Sequence, residues 1–215
     1  MFAFDMDGTL LPGTSACRQI ARVAGVEDGF RELDVAFVKG SITGVEFARA
    51  IASLWDCSDS AMIRHAFDAA PKIGNIDAAL RLISDHGGRA CLITLAPQYF
   101  AEHFRAFGFH HIVASRFPLR PGRSIRNRAI LTPEDKVTRL RRICCREGLT
   151  FDEAVVFGDS ATDLPLFSSM RWSVCLNGSR QLQKAAWQSY VSDNLVDVLE
   201  RVLDQLEECG NILRK

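Results

Sequence analysis

Short, continuous apolar runs alternate along this chain with longer stretches of helical period, and that alternation restricts the fold more than any other feature. The runs fall at residues 2–4, 90–93, 111–114, 154–157 and 172–176. Between and after them, apolar residues recur at helical spacing over 76–84, 97–107, 134–147 and 195–206. Strands apolar on both faces must be covered on both faces, which predicts a doubly wound, Rossmann-like α/β fold with a parallel sheet.

One interval is too long for that scheme. A strand-helix-strand unit takes roughly 30 residues, yet 84 residues separate Asp5 from Ala90. About 50–65 of them are surplus to a simple crossover. Four helical stretches fill the surplus, at 15–24, 27–38, 44–55 and 60–69. Ile20, Val23 and Ala24 share one face, as do Phe47, Ile51 and Leu54. The expected organisation is an α/β core of residues 1–13 and 72–215 carrying a small helical insert, residues 14–71, after the first strand. At 215 residues with 47% apolar and 24% charged side chains, the chain can bury a full core.

Charge narrows the partners. Lysine plus arginine number 26 and aspartate plus glutamate 26, for a formal net charge of zero. No global attraction to nucleic acid or to an anionic membrane is expected. No apolar run approaches the ~18 residues of a membrane span, and Met1-Phe2-Ala3-Phe4-Asp5 turns acidic too early for a signal peptide. The seven cysteines (17, 57, 91, 144, 145, 175 and 209) lack framework spacing. They read as reduced thiols of a cytoplasmic protein. Oligomeric state is not legible.

Ligands of a parallel α/β sheet bind beyond the carboxyl ends of its strands, and there polar residues appear. The first strand runs into Asp5-Met6-Asp7-Gly8-Thr9, the second into Thr94, the fourth into Gly158-Asp159-Ser160-Ala161-Thr162-Asp163. Asp5 and Asp7, two apart, point to one side if the chain stays extended. One carboxylate can then attack an electrophile while the other moves a proton. Asp159, near Asp5, suits a hard cation, since Mg²⁺ takes one or two carboxylates, waters and substrate phosphate. Asp163 could support that site or cap the helix that starts at Leu164-Pro165. Thr94, three residues before Pro97, could face a phosphoryl oxygen or serve as a helix N-cap. Lys136 is one of only five lysines among the 26 basic residues; a compact ammonium can sit against a carboxylate and a phosphoryl oxygen together.

This ordered set, Asp5-Met6-Asp7-Gly8-Thr9-Leu10, Thr94, Lys136 and Gly158-Asp159-Ser160-Ala161-Thr162-Asp163, resembles the four motifs of the haloacid dehalogenase-like phosphohydrolase superfamily. The resemblance covers essentially the whole chain. The helical insert and Glu134-Asp135-Lys136-Val137 are most similar to its phosphoserine phosphatase-like branch. It implies a Mg²⁺-dependent phosphomonoester hydrolase acting on a small phosphorylated metabolite. Asp5 would be the nucleophile, forming an aspartyl-phosphate, and Asp7 the general acid and then base. Mg²⁺ would be held by Asp5, the backbone carbonyl of Asp7, and Asp159. Thr94 and Lys136 would hold the phosphoryl oxygens, with Asp163 supporting the metal or Lys136.

The pattern also departs from that branch. Residues 10–26 contain no acidic residue to read a substrate amine, Thr94-Leu95-Ala96 replaces Ser-Gly-Gly, and Thr162 replaces Asn. These changes point away from free phosphoserine. Asp7, which the superfamily's dehalogenases lack, disfavours dehalogenation. A phosphotransferase using the same aspartyl-phosphate stays open, as does a receiver-like phospho-signalling domain, which needs no cap. Other signals read as structural. Arg116, Arg120, Arg123, Arg126 and Arg128 suggest a solvated loop able to steer a second anion. His110-His111 and Cys144-Cys145 lack metal or redox spacing. Phe100, Phe104 and Phe107 read as core, and Phe37, Phe47 and Trp55 as packing within the insert, although they could line a substrate pocket.

Overall fold

The computed structural model describes residues 1–210, so Lys215 lies outside the described residues. Six parallel strands form one sheet in the order β3-β2-β1-β4-β5-β6. They are β1 (Phe2–Phe4), β2 (Ala90–Pro97), β3 (His111–Ser115), β4 (Val155–Gly158), β5 (Trp172–Leu176) and β6 (Gln188–Tyr190). β1 lies between β2 and β4, with Phe2 opposite both Ala90 and Val155 and Phe4 opposite both Leu92 and Phe157. The strand order reverses between β1 and β4, and the ends of those two strands carry Asp5 and Asp159.

The continuous apolar strands are explained by two cores. Phe2, Phe4, Leu92 and Phe157 face one of them, together with Leu80, Ile83, Val198, Leu199 and Val202. These last five come from α5 (Ile76–Asp85) and α10 (Leu195–Glu208). Ala3, Cys91 and Val156 face the other, against Leu140, Ile143 and Leu166 of α7 (Pro133–Arg146) and α8 (Leu164–Ser168). Alternate residues of a strand serve opposite faces, as a period of two requires.

The surplus chain is a helical insertion. Between β1 and β2 run α1 (Ala16–Ala24), α2 (Glu27–Val38), α3 (Gly44–Leu54), α4 (Ser60–Ala69) and α5. Local chemistry sets their ends. The Ser15 hydroxyl accepts from the Arg18 amide, and Gly25, at φ 71°, turns the chain out of α1 in the left-handed conformation. Thr43 and Glu46 form a reciprocal capping box on α3. Phe30, Phe47, Ala48 and Ile51 of the insertion are buried in the same apolar cluster as Phe2 and Phe4, so the insertion packs continuously onto one sheet face.

Three expectations need correction. β2 does not stop at Ile93: it runs to Pro97, with an irregular register against β3 between Ile93 and Pro97. Thr94 is therefore a strand residue, not a helix cap. The expected helix at 97–107 is a short α6 (Gln98–Ala101) continued by a 3-10 helix, Glu102–Phe107. Pro97 is its N-cap at φ −63°, ψ 133°, because a residue without an amide proton sits at a helix start. β6, three partly polar residues at the sheet edge, has no apolar pattern and went unanticipated. α9 (Arg180–Ala185) links β5 to it. All seven cysteines are free. No helix among the described residues is long and apolar enough to cross a membrane.

Candidate active site

At the end of β1 the sheet ladder continues for one residue, the Asp5 amide donating to the Phe157 carbonyl at 2.9 Å. The extension then breaks. The Met6 carbonyl accepts from the amides of Leu10 and Leu11, and Gly8 takes φ 81°. Asp7 is thereby turned toward the insertion, where its Oδ1 accepts from the Ala16 amide at 2.9 Å, the first residue of α1. Asp5 and Asp7 still line one cavity of about 220 Å³, shared with Thr94 and Lys136.

Lys136 reaches that cavity from the first turn of α7. Pro133 at the helix start and a capping box between Thr132 and Asp135 fix where the helix begins. The side chain is 1% exposed, and its Nζ donates to Asp5 Oδ1 and to Asp163 Oδ1, each at 2.7 Å. Asp163 is held in turn by the amides of Asp159 and Ser160, which donate to its Oδ2 at 3.1 and 3.3 Å. Its carboxylate therefore braces the loop and Lys136, and makes no cap bond on α8. Thr9, which the sequence did not mark beyond its motif, donates to Asp159 Oδ1 at 3.3 Å. Thr94, 1% exposed, accepts from the Ala96 amide at 3.1 Å, which leaves its hydroxyl proton for the cavity.

Glycines make the close approach of these loops possible. A Cβ at Gly8 would lie 2.1 Å from Asp159 Oδ2, and one at Gly158 2.5 Å from Asp163 Cγ. Gly8→Ala combines that collision with a left-handed φ, whose backbone cost alone is about 1–2 kcal/mol. The expected result is a melting temperature lower by ~2–8 °C, together with lost activity. A thermal melt within 1 °C or so of wild type would mean that the turn and Asp159 are not packed as described.

Electrostatically, four carboxylates gather around one ammonium. Burial pushes Asp5 up to about 7, reinforced by Asp163 and Asp159 and opposed by Lys136. Burial likewise raises Asp7 to about 7, against the Ala16 amide, and Asp159 to about 7, with Asp163 adding to it. Burial works against the Lys136 charge, but Asp5 and Asp163 outweigh it and hold its pKa above the ordinary value. An oxygen from each of Asp5, Asp159 and Asp163 lies within 4.8 Å of the others. Such an excess of anionic oxygens, two of the three groups buried and Asp159 half-buried, fits a hard divalent cation. The Asp7 carboxylate, committed to Ala16, is not in that group.

Several residues at the cavity were not singled out beforehand. Phe30, Asp34, Phe117, Ile130 and Leu131 line it with Phe37 and Phe47. Trp55, by contrast, packs against Phe30 at 6.4 Å between ring centroids and does not line it. His110 and His111 have structural partners, the Ala90 amide and Glu147. Arg116, Arg126 and Arg128 join Arg139, Arg142 and Arg146 along a separate surface groove.

With the fold and site in view, three comparisons bear on the chain. The model of the haloacid dehalogenase-like hydrolases matches residues 2–168. No curated protein matches. A substrate-bound phosphoserine phosphatase complex is structurally similar, with a TM-score of 0.75 and 18% identity, covering 93% of this chain and 96% of that one. A protein of unknown function from Bordetella pertussis Tohama I has a TM-score of 0.69 and 23% identity, over 88% of this chain and 96% of that one. A HAD family hydrolase from Salmonella enterica subsp. enterica serovar Typhi has a TM-score of 0.77 and 15% identity, over 88% of this chain and 66% of the Salmonella chain.

Proposed function

This chain belongs to the haloacid dehalogenase-like hydrolases, and on that premise we propose that it is a Mg²⁺-dependent phosphatase of a small phosphorylated metabolite. One observation carries the reading: the Lys136 ammonium joins Asp5 and Asp163 at 2.7 Å in a cavity that Asp7 and Thr94 also line.

The Asp5 carboxylate attacks phosphorus in line, and the bond to the ester oxygen breaks. Asp7, whose pKa is raised to about 7 by burial, is protonated in part near neutrality and gives its proton to the leaving alkoxide. The resulting aspartyl-phosphate is then attacked at phosphorus by water, which loses its proton to Asp7, releasing orthophosphate and restoring Asp5. Lys136 and the Thr94 hydroxyl hold the non-bridging oxygens throughout, where positioning and charge compensation supply most of the catalysis. Asp5, Asp159 and the Asp7 carbonyl would hold the Mg²⁺, which neutralises phosphoryl charge when bound. Asp163 keeps Lys136 and the Asp159 loop in place. Residues 14–71 act as the cap over the leaving group, on the core of residues 1–13 and 72–215.

The helical insertion, which a receiver-like domain does not need, and the family match support the hydrolase reading over that alternative. The test separates hydrolysis from transfer: phosphate release from 4-nitrophenyl phosphate is measured with and without an acceptor alcohol. Expected are release that needs Mg²⁺, stops with chelator, and keeps pace with nitrophenol. Nitrophenol outrunning phosphate by more than about twofold would make the chain a phosphotransferase. No turnover with any divalent cation would end the reading.

A further inference from the structure

Beyond the catalytic end, the cavity walls are made of a different chemistry. Phe30 and Phe37 of α2, Phe47 of α3, and Phe117 and Ile130 from the segment between β3 and α7 close it in. The rings form a continuous series. Phe37 stacks on Phe47 at 4.9 Å, and Phe47 meets Phe30 edge-on at 6.4 Å and Phe117 at 6.3 Å. Gly44 keeps the gap open, since a Cβ there would lie 3.2 Å from Ile130 Cγ2.

Among the described lining residues, Lys136 is the one cation, and Asp5 and Asp163 already engage it. Asp34, the other charged group away from the catalytic end, is an anion 3.4 Å from Arg18. Apart from Thr94 at the phosphoryl end, the lining hydroxyls each already have one partner. Ser160 and Thr162 bond each other at 3.0 Å, and Ser15 caps α1. A second anion on the substrate would lose its water and meet no positive partner. A polyol would leave hydroxyls unpaired. The arginines able to meet an anion, Arg116, Arg120, Arg123 and Arg126, line a neighbouring cavity on which Phe117 also borders.

We propose that the alcohol half of the substrate is apolar and carries no second anion, a single aromatic ring or a short branched alkyl chain. At about 220 Å³, the cavity is below the ~300–1,000 Å³ usual for drug-sized ligands, so one ring fills it beside the phosphoryl group. This rests on the phosphatase reading above. The aromatic wall supplies burial for the leaving group and holds water away from the phosphoryl centre.

The test compares kcat/KM of the Mg²⁺-loaded full chain on benzyl phosphate and 3-methylbutyl phosphate with that on phosphoserine and glycerol 3-phosphate. None of the four has an activated leaving group, and 4-nitrophenyl phosphate reports general competence. Expected is a preference of about 100-fold for the apolar esters, the scale on which a pocket separates matched from unmatched groups. Phe37, at the rim and 39% exposed, gives a variant that should fold. Phe37→Arg should reduce the benzyl phosphate to phosphoserine ratio by about tenfold or more. Equal or better turnover of the polar esters overturns the inference and leaves the phosphatase intact. Failure on every ester, 4-nitrophenyl phosphate included, removes both. A preference that Phe37→Arg leaves unchanged overturns the assignment of this wall.

Discussion

Asp5→Asn abolishes turnover, by about 10⁴-fold or more, and at the same time raises the melting temperature of the metal-free protein. In the proposed mechanism, the first effect follows from replacing the carboxylate that attacks phosphorus with an amide that cannot form the aspartyl-phosphate. The second follows from crowding. Asp5 is 4% exposed, and burial together with Asp163 and Asp159 lifts its pKa to about 7. A carboxyl with a folded pKa above its unfolded value of 3.8 is a liability once ionised. The unfolded chain gives up its proton first, so stability is lost as pH rises from about 4 to about 7. Asparagine removes that loss while Lys136 keeps Asp163 as its partner. Each kcal/mol relieved is worth ~2–4 °C in a chain of this size. The check is a pair of thermal melts in chelator near pH 8, with phosphate release assayed beside them. A variant that melts several degrees lower than wild type contradicts the electrostatics described, and one that still turns over removes Asp5 as nucleophile.

Lys136→Met acts in the opposite direction on stability. It leaves Asp5 and Asp163 facing each other, both buried, with their shared ammonium gone. Removing one member of a buried ionic group typically costs ~3–5 kcal/mol, which corresponds to a melting temperature lower by ~6–20 °C. Turnover should fall by about 10²–10³, the usual cost of losing one donor to a developing oxyanion. Lys136→Arg should not restore either quantity. The site is 1% exposed, and a planar fork does not reproduce a compact ammonium between two oxygens. A melt of Lys136→Met within about 2 °C of wild type, at matched concentration in chelator, would show that the three side chains are not an ionic unit.

Much of the frame was legible because it rests on repetition of local pattern. Apolar runs gave five of the strands, and the 84-residue interval exposed the insertion. Asp5, Asp7, Thr94 and Lys136 line one cavity because the end of β1, the later half of β2 and the start of α7 converge on a single edge of the sheet, as the order of motifs implied. Asp159 follows the same rule through its approach to Asp5. What stayed hidden depends on contacts between distant segments. The sequence left open that Phe37 and Phe47 line a pocket, but helical spacing does not say that Phe117 and Ile130 form its opposite wall. The turn at Gly8 that carries Asp7 to the start of α1 is likewise set by Ala16 and Asp159, neither adjacent in sequence. β6 was unreadable because an edge strand of three residues takes its hydrogen bonds from β5 and not from its own composition.

The central place of β1 has a consequence for how the protein comes into being. Its three residues leave the ribosome long before either flanking strand has been made, and the ion pair of Asp5 waits for a residue 131 positions later. Thr9 waits 150 positions for Asp159. Contacts of such long reach form slowly, so a growing chain holds Asp5, the proposed nucleophile, without its counter-ion until Lys136 has been made. The site is then assembled late, when β4 arrives to complete the seat of the strand that precedes the other five.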